Sequence, residues 1–105
     1  MPSFRWSPVL YKKITYLLFM KKEVVDALSY TRLSEHRTKT LLAIGDEVVL
    51  PKDISKKTGY RATHTSRSIK QLIEAGLVKC LNPEKIKGRL FVTTDLGKEV
   101  IKYIR

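Results

Sequence analysis

The sequence predicts a mainly α-helical domain that carries a small β-hairpin. Three observations support this. Apolar residues recur at helical spacing between glycine- and proline-marked stops. Two helical patterns in mid-chain are separated only by Gly59, Tyr60 and Arg61. Two β-prone runs, at 77–81 and 89–93, flank a seven-residue segment containing Pro83 and Gly88. A chain of 105 residues makes one domain the default. Its 43% apolar and 30% charged content is that of a folded protein rather than a disordered one.

Ser7 before Pro8 reads as a helix start, and Leu10, Ile14, Leu17, Val24 and Leu28 form one stripe of a long helix, interrupted by Lys21. Against that, Ile14, Thr15, Tyr16 and Phe19 are strand formers, and Met20 followed by Lys21, Lys22 and Glu23 reads as a translation start. Residues 1–19 are therefore expected to be an N-terminal extension, either a helix that pairs with its twin or an appendage, and residues 20–105 the domain. Ser34 is placed to cap a second helix with Leu41, Leu42 and Ile44 inward and Gly45 as its stop. Val48, Val49 and Leu50 are a short β-prone run. Pro51, Asp53 and Gly59 bracket a two-turn helix. The next helix turns Ile69, Leu72 and Ile73 inward and stops at Gly76, and after the hairpin Thr94 caps a last helix with Val100, Ile101 and Ile104 on one face.

Twenty-one lysines and arginines against ten acids leave a formal charge of +11. That repulsion opposes compaction, and nucleic acid is the commonest polyanion to offset it, with an anionic membrane surface or a ribosomal setting as competitors. The single cysteine, Cys80, excludes an intramolecular disulfide and fits a reducing compartment. The longest apolar run, from Tyr16 to Met20, is too short to span a bilayer, and Lys12 and Lys13 interrupt the only signal-like segment. A cytoplasmic protein without membrane contact is expected.

The order of elements resembles the winged helix-turn-helix domain over residues 34–105. "SEHRTKTLLAIG" resembles its first helix, "LPKDISKKTGY" its second, and "RATHTSRSIKQLIEAGLVKC" its recognition helix with the first wing strand. "NPEKIKGRLFVTTDLGKEV" resembles the wing and the helix after it. The strings are similar to the arsenic-repressor-like and multiple-antibiotic-resistance-repressor-like groups, and most of all to small archaeal winged-helix regulators, whose members often begin near a sequence like "KKEVVDALSY" at 21–30. The resemblance implies a transcriptional regulator, commonly a homodimer and a repressor, whose helix at 61–75 reads the major groove of double-stranded DNA. It also implies a wing at 82–89 that touches flanking backbone. Ser66 and Arg67 match a pair common in these groups, whereas Thr65 stands where valine or isoleucine is usual, a departure expected to weaken the local core.

The residues point the same way independently. From Gly59 to Thr94 seven basic residues face two acidic ones, Glu74 and Glu84, both away from the helix N-terminus where phosphate would sit. With Thr65, Ile69 and Leu72 inward, the outer face of the helix holds Thr63, His64, Ser66, Arg67 and Lys70. Arg61 before it and Lys85, Lys87 and Arg89 in the wing complete the candidate DNA-binding set. Arginine grips guanine bidentately, so Arg67 is the leading base-reading residue. Any one of these cations alone would be an ordinary solvated side chain, and edge lysines also guard hairpins against aggregation. The cluster carries the reading.

No cofactor, metal or catalytic centre is expected. His36 and His64 lie in different helices without a ligand four residues on, Cys80 begins no spaced pair, and no phosphate loop, nucleophile elbow or spaced carboxylate pair occurs. His64 reads as a DNA contact and Cys80 as a small core residue. The alternatives are a sequence-indifferent chromatin protein and a winged-helix module for protein or RNA.

Overall fold

The computed structural model describes residues 21–105, and the expected helix start at Ser7 and the extension at 1–19 lie outside them. Helix α1, Lys22–Arg32, begins afresh at Lys21, whose extended backbone (φ −64°, ψ 143°) makes it the N-cap. The helix that carries Val24 and Leu28 therefore does not run through Lys21, and the part of the expected stripe from Leu10 to Leu17 lies outside the described residues. Val24 and Ala27 are buried, and the buried Thr31 hydroxyl donates to the Ala27 carbonyl at 2.8 Å.

Helix α2, Glu35–Ile44, starts as the sequence requires: Ser34 Oγ accepts from the Arg37 amide at 3.3 Å, satisfying a first-turn donor that has no helical partner. Its inward face is Thr40, Leu41 and Ile44, with Leu42 half-buried. The β-prone run that follows reduces to one bridge, in which Val49 exchanges both backbone hydrogen bonds with Phe91 at 3.0 and 2.9 Å. Val48 stays 52% exposed, since one residue of pairing has only one inward side chain to bury. Helix α3, Pro51–Thr58, has proline where the missing donor costs nothing, and the Asp53 carboxylate accepts from the Leu50 amide at 3.2 Å.

Helix α4, Ala62–Glu74, follows after Gly59, Tyr60 and Arg61. Gly59 lies in the left-handed region (φ +79°), so the chain reverses there without the penalty a Cβ would bring. Thr65, Ser68, Ile69 and Leu72 face inward. Ile73 does not: it is 39% exposed, at the edge of that inward face on the side toward the wing.

Strands β1, Val78–Cys80, and β2, Phe91–Thr93, pair antiparallel with Val78 opposite Thr93 and Cys80 opposite Phe91. They are shorter than the runs at 77–81 and 89–93. One further backbone bond joins the Leu81 amide to the Leu90 carbonyl, and there the Asn82 side chain takes over. Its Oδ1 accepts from the Leu90 amide at 2.7 Å while its Nδ2 donates to the Gly88 carbonyl at 3.1 Å, closing the loop. Helix α5, Asp95–Ile104, is capped by Thr94 Oγ1, which accepts from the Gly97 amide at 3.1 Å and donates to the Gly76 carbonyl at 2.6 Å.

One core joins these elements. Leu41, Ile44, Ile54, Leu72, Leu77 and Val100 are essentially inaccessible, and each such side chain contributes ~1.5–3 kcal/mol on burial. Val100 and Ile101 are spent inside this chain rather than on a face between copies, and Arg32 of α1 donates to the Tyr103 carbonyl of α5 at 2.9 Å. Among the described residues no helix is long and apolar enough to cross a membrane.

At Gly97 the backbone of α5 packs directly on the backbone at Leu77. A Cβ at Gly97 would overlap the Leu77 carbonyl, which itself accepts from the Thr94 amide at 3.0 Å and cannot retreat freely. Gly97→Ala is therefore expected to destabilise the fold by at least ~1–3 kcal/mol, seen as a lower urea midpoint at unchanged m-value. A midpoint equal to wild type would show that α5 shifts without cost.

Candidate nucleic-acid interface

The exposed face of α4 depends on what holds its other face. Leu72 and Ile69 enter the core, and Thr65 Oγ1 lies 2.8 Å from Ser55 Oγ of α3, a hydrogen bond between the two helices on either side of the turn. Thr65 is fully buried and its hydroxyl is satisfied, so it does not weaken the local core as the departure from valine suggested. Threonine is there because serine is opposite. Gln71 adds a second tie, accepting at 3.3 Å from Arg37, whose guanidinium also donates to the Tyr30 carbonyl at 2.7 and 3.0 Å and lies 3.9 Å from the Tyr30 ring centre. Arg37 is thus a structural cation that joins α1, α2 and α4.

With that face fixed, Thr63, His64, Ser66, Arg67 and Lys70 are all exposed, as is Arg61 at the N-cap. The helix end is free for an anion: the N-cap Arg61 makes no side-chain cap and the first turn holds no acid. The wing candidates Lys85, Lys87 and Arg89 are exposed too. Arg89 is partly committed, its Nε donating to the Lys85 carbonyl at 2.6 Å and stiffening the loop that presents the two lysines. Ser66 and Lys70 from α4 and Gly88 and Arg89 from the wing line one groove, so helix and wing form a continuous surface. Lys85 and Lys87 lie outside that groove.

Two features escaped the sequence reading. His64 is not a lone outward residue: its ring stacks on His36 of α2 at 5.1 Å, and His36 in turn lies 4.3 Å from Tyr60. The spacing of 28 residues hides this contact, which only the helix crossing creates. Beside it Lys39 bonds Glu35 at 2.7 Å, and that hydrogen bond, followed by the charge of its partner, holds the Glu35 carboxyl below its usual range and the Lys39 ammonium above its own. Lys52, at the start of α3, is the second omission; it faces the same groove as Lys70 and Arg89. Its signal was available as a cation beside Pro51 at a helix N-terminus. Cys80 is half-buried with its Sγ 3.6 Å from Asn82 Oδ1, consistent with a packing residue.

Among the described residues no group of three or more histidines, cysteines or acids is arranged to hold a metal. The order of elements, the helix-turn-helix formed by α3 and α4 and the short antiparallel hairpin define a winged helix-turn-helix fold. The same fold is found in a solved structure described as "TubR bound to 24 bp of tubC from Bacillus thuringiensis serovar israelensis pBtoxis". The likeness has a TM-score of 0.67 at 10% identity, over 81% of this chain and 95% of that one. No known protein family and no curated protein matches the sequence.

The two buried threonines make opposite predictions from one substitution. Thr65→Val leaves Ser55 without its partner and should cost about 1–3 kcal/mol, most of it recovered when Ser55→Ala is added. Thr40→Val removes a hydroxyl that is buried with no partner among the described residues, and should be neutral or stabilising by about 1 kcal/mol. Denaturant unfolding of the three variants checks both, and a loss at Thr40 as large as at Thr65 would refute the assignment.

Proposed function

We propose that this protein is a sequence-specific regulator of transcription that binds double-stranded DNA, with α4 in the major groove and the wing along flanking backbone. The observation that carries this reading is the division of α4. One face is pinned by Leu72, Ile69 and the Thr65–Ser55 bond, while the other offers Thr63, Ser66, Arg67 and Lys70 to a ligand as a rigid row. A helix has about the right width for the major groove, and the cations meet phosphate while arginine and the hydroxyls meet base edges. The fold shared with TubR, whose structure is described as bound to DNA, adds support from outside the chain.

The working unit in this reading is a homodimer acting in the cytoplasm, with two copies of α4 one helical turn apart, about 34–36 Å, on a roughly palindromic site. Its output is repression by occupying the promoter, and it performs no catalysis. Since Val100 and Ile101 are already buried within the chain, the dimer seam must use other surfaces. Exposed Leu33, at the end of α1, is one apolar residue available to it.

The test is fluorescence anisotropy on duplexes from the protein's own promoter region and on scrambled duplexes, each at low and physiological salt. Promoter DNA should keep an advantage of ~10³ or more at physiological salt. Binding that is alike on both duplexes and fades with salt would instead mark a sequence-indifferent chromatin protein, and no binding would sink the DNA reading.

Two variants divide the labour. Arg67→Ala should cost ~1–3 kcal/mol on the preferred site and relax its base preference. Lys87→Ala should weaken all sequences alike and reduce the salt slope by about one unit. Equal losses on specific and random DNA in both variants would overturn this assignment.

A further inference from the structure

The groove between α4 and the wing is not the surface that phosphate contact alone requires. Its volume is about 880 Å³, within the ~300–1,000 Å³ of small-molecule sites. Its lining includes Leu50, Ile69, Ile73, Ile86 and Phe91, a continuous apolar floor beside a DNA-facing helix. Ile73 is 39% and Ile86 90% exposed, so two branched aliphatic side chains face water at the same place. Scattered exposed aliphatics are ordinary, but a set that converges on one concavity is a binding feature. The rim is charged with one dominant sign: Lys52, Lys70 and Arg89 border the groove against Glu74 alone. Among the described residues, none of these three cations makes a salt bridge.

We infer that this groove binds an amphipathic carboxylate, one anionic headgroup on an apolar aliphatic body, and that such a ligand competes with DNA. The body covers Ile73, Ile86 and Phe91, while the carboxylate is held at the rim by Lys52, Lys70 and Arg89. Charge complementarity selects the headgroup, because an ammonium would meet three cations without acidic partners and a neutral alcohol would gain no charge-assisted bond from them. Competition follows from geometry: Lys70 and Ser66 line the groove and also belong to the DNA-facing row, so one occupant excludes the other. The ligand site stands on the groove itself; only the competition rests on the DNA-binding reading.

Titration calorimetry of the full chain without DNA tests the site, using octanoate with octylamine and octanol as controls. Octanoate should bind saturably and at least ~10-fold more tightly than either control, the factor expected of one charge-assisted contact. Ile73→Ser, which alters an exposed position outside the DNA-facing row, should weaken octanoate ~10-fold or more. Lys52→Gln, a second exposed position, should weaken octanoate but not octanol, and circular dichroism on both variants separates misfolding from a lost site. No saturation by octanoate, equal binding of octylamine, or full affinity in both variants would overturn the site. An acidic peptide that binds where octanoate does not would overturn it as well and point to a protein partner. Competition is read separately, as release of a labelled promoter duplex by octanoate from wild type but not from Ile73→Ser. If octanoate binds and DNA never does, the regulatory reading fails while the ligand site stands; if both bind together, the competition fails.

Discussion

The angle between α3 and α4 is the constraint on which the exposed surface depends. Gly59 permits the reversal by taking a positive φ, and the Ser55–Thr65 hydroxyl bond then fixes how the two helices meet six residues further on. Neither element suffices alone. A glycine turn without a tie leaves the second helix free to roll about its axis, and rolling by one residue turns the outward row through ~100°. The hydroxyl pair opposes that roll because separating half-buried Ser55 from fully buried Thr65 would strand the Thr65 hydroxyl in the core. Ile69 and Leu72 supply most of the burial energy, but apolar contacts are tolerant of small rotations in a way that a 2.8 Å hydrogen bond is not.

That rigidity gives the charge distribution its meaning. A net charge of +11 spread over mobile side chains would attract any polyanion by salt-dependent attraction alone. Here one of the basic side chains nearest the core, Arg37, is committed to Tyr30 and Gln71, and Lys39 and Lys57 have acidic partners. Arg67 and Lys70 remain on a face whose orientation is set by its buried side. Arg89 is intermediate, bracing its own loop while lining the groove. The chain thus separates cations that hold the fold from cations offered to a ligand.

The fold was largely legible because its punctuation is chemical. Ser34, Pro51, Gly59 and Thr94 each act where local rules place them, and the inward residues Leu41, Ile69, Leu72 and Val100 follow from 3.6-residue periodicity. What was illegible depends on pairs distant in sequence. Thr65 looked like a flaw until Ser55 was seen opposite it, and His64 looked like a free contact until the crossing of α2 and α4 brought His36 against it. Strand length failed for a related reason. β-propensity favoured five-residue runs, but the Asn82 side chain captures the Leu90 amide and ends the ladder early. The position of Ile73 shows the resolution limit of periodicity: it stands four residues after buried Ile69, at the edge of the inward stripe, where helical spacing alone does not decide burial.

The misplaced Ile73 is also what makes the groove more than an electrostatic surface. Had it been inward, α4 would face the wing with its polar residues and the buried Ile69 alone, and no exposed aliphatic of the helix would border the groove. Its exposure beside Ile86 and Phe91 gives the cleft an apolar floor that DNA backbone does not need. An apolar floor with a cationic rim discriminates where either alone would not: burial favours the ligand body, and the unpaired cations reject bodies without an anion. In the proposed DNA-binding reading such a site lies between the groove-facing helix and the wing, and would couple to DNA through shared residues, without a change in fold. If both proposals hold, linkage makes the effect reciprocal: DNA that occupied Lys70 would lower affinity for the carboxylate by the same factor that the carboxylate would lower affinity for DNA.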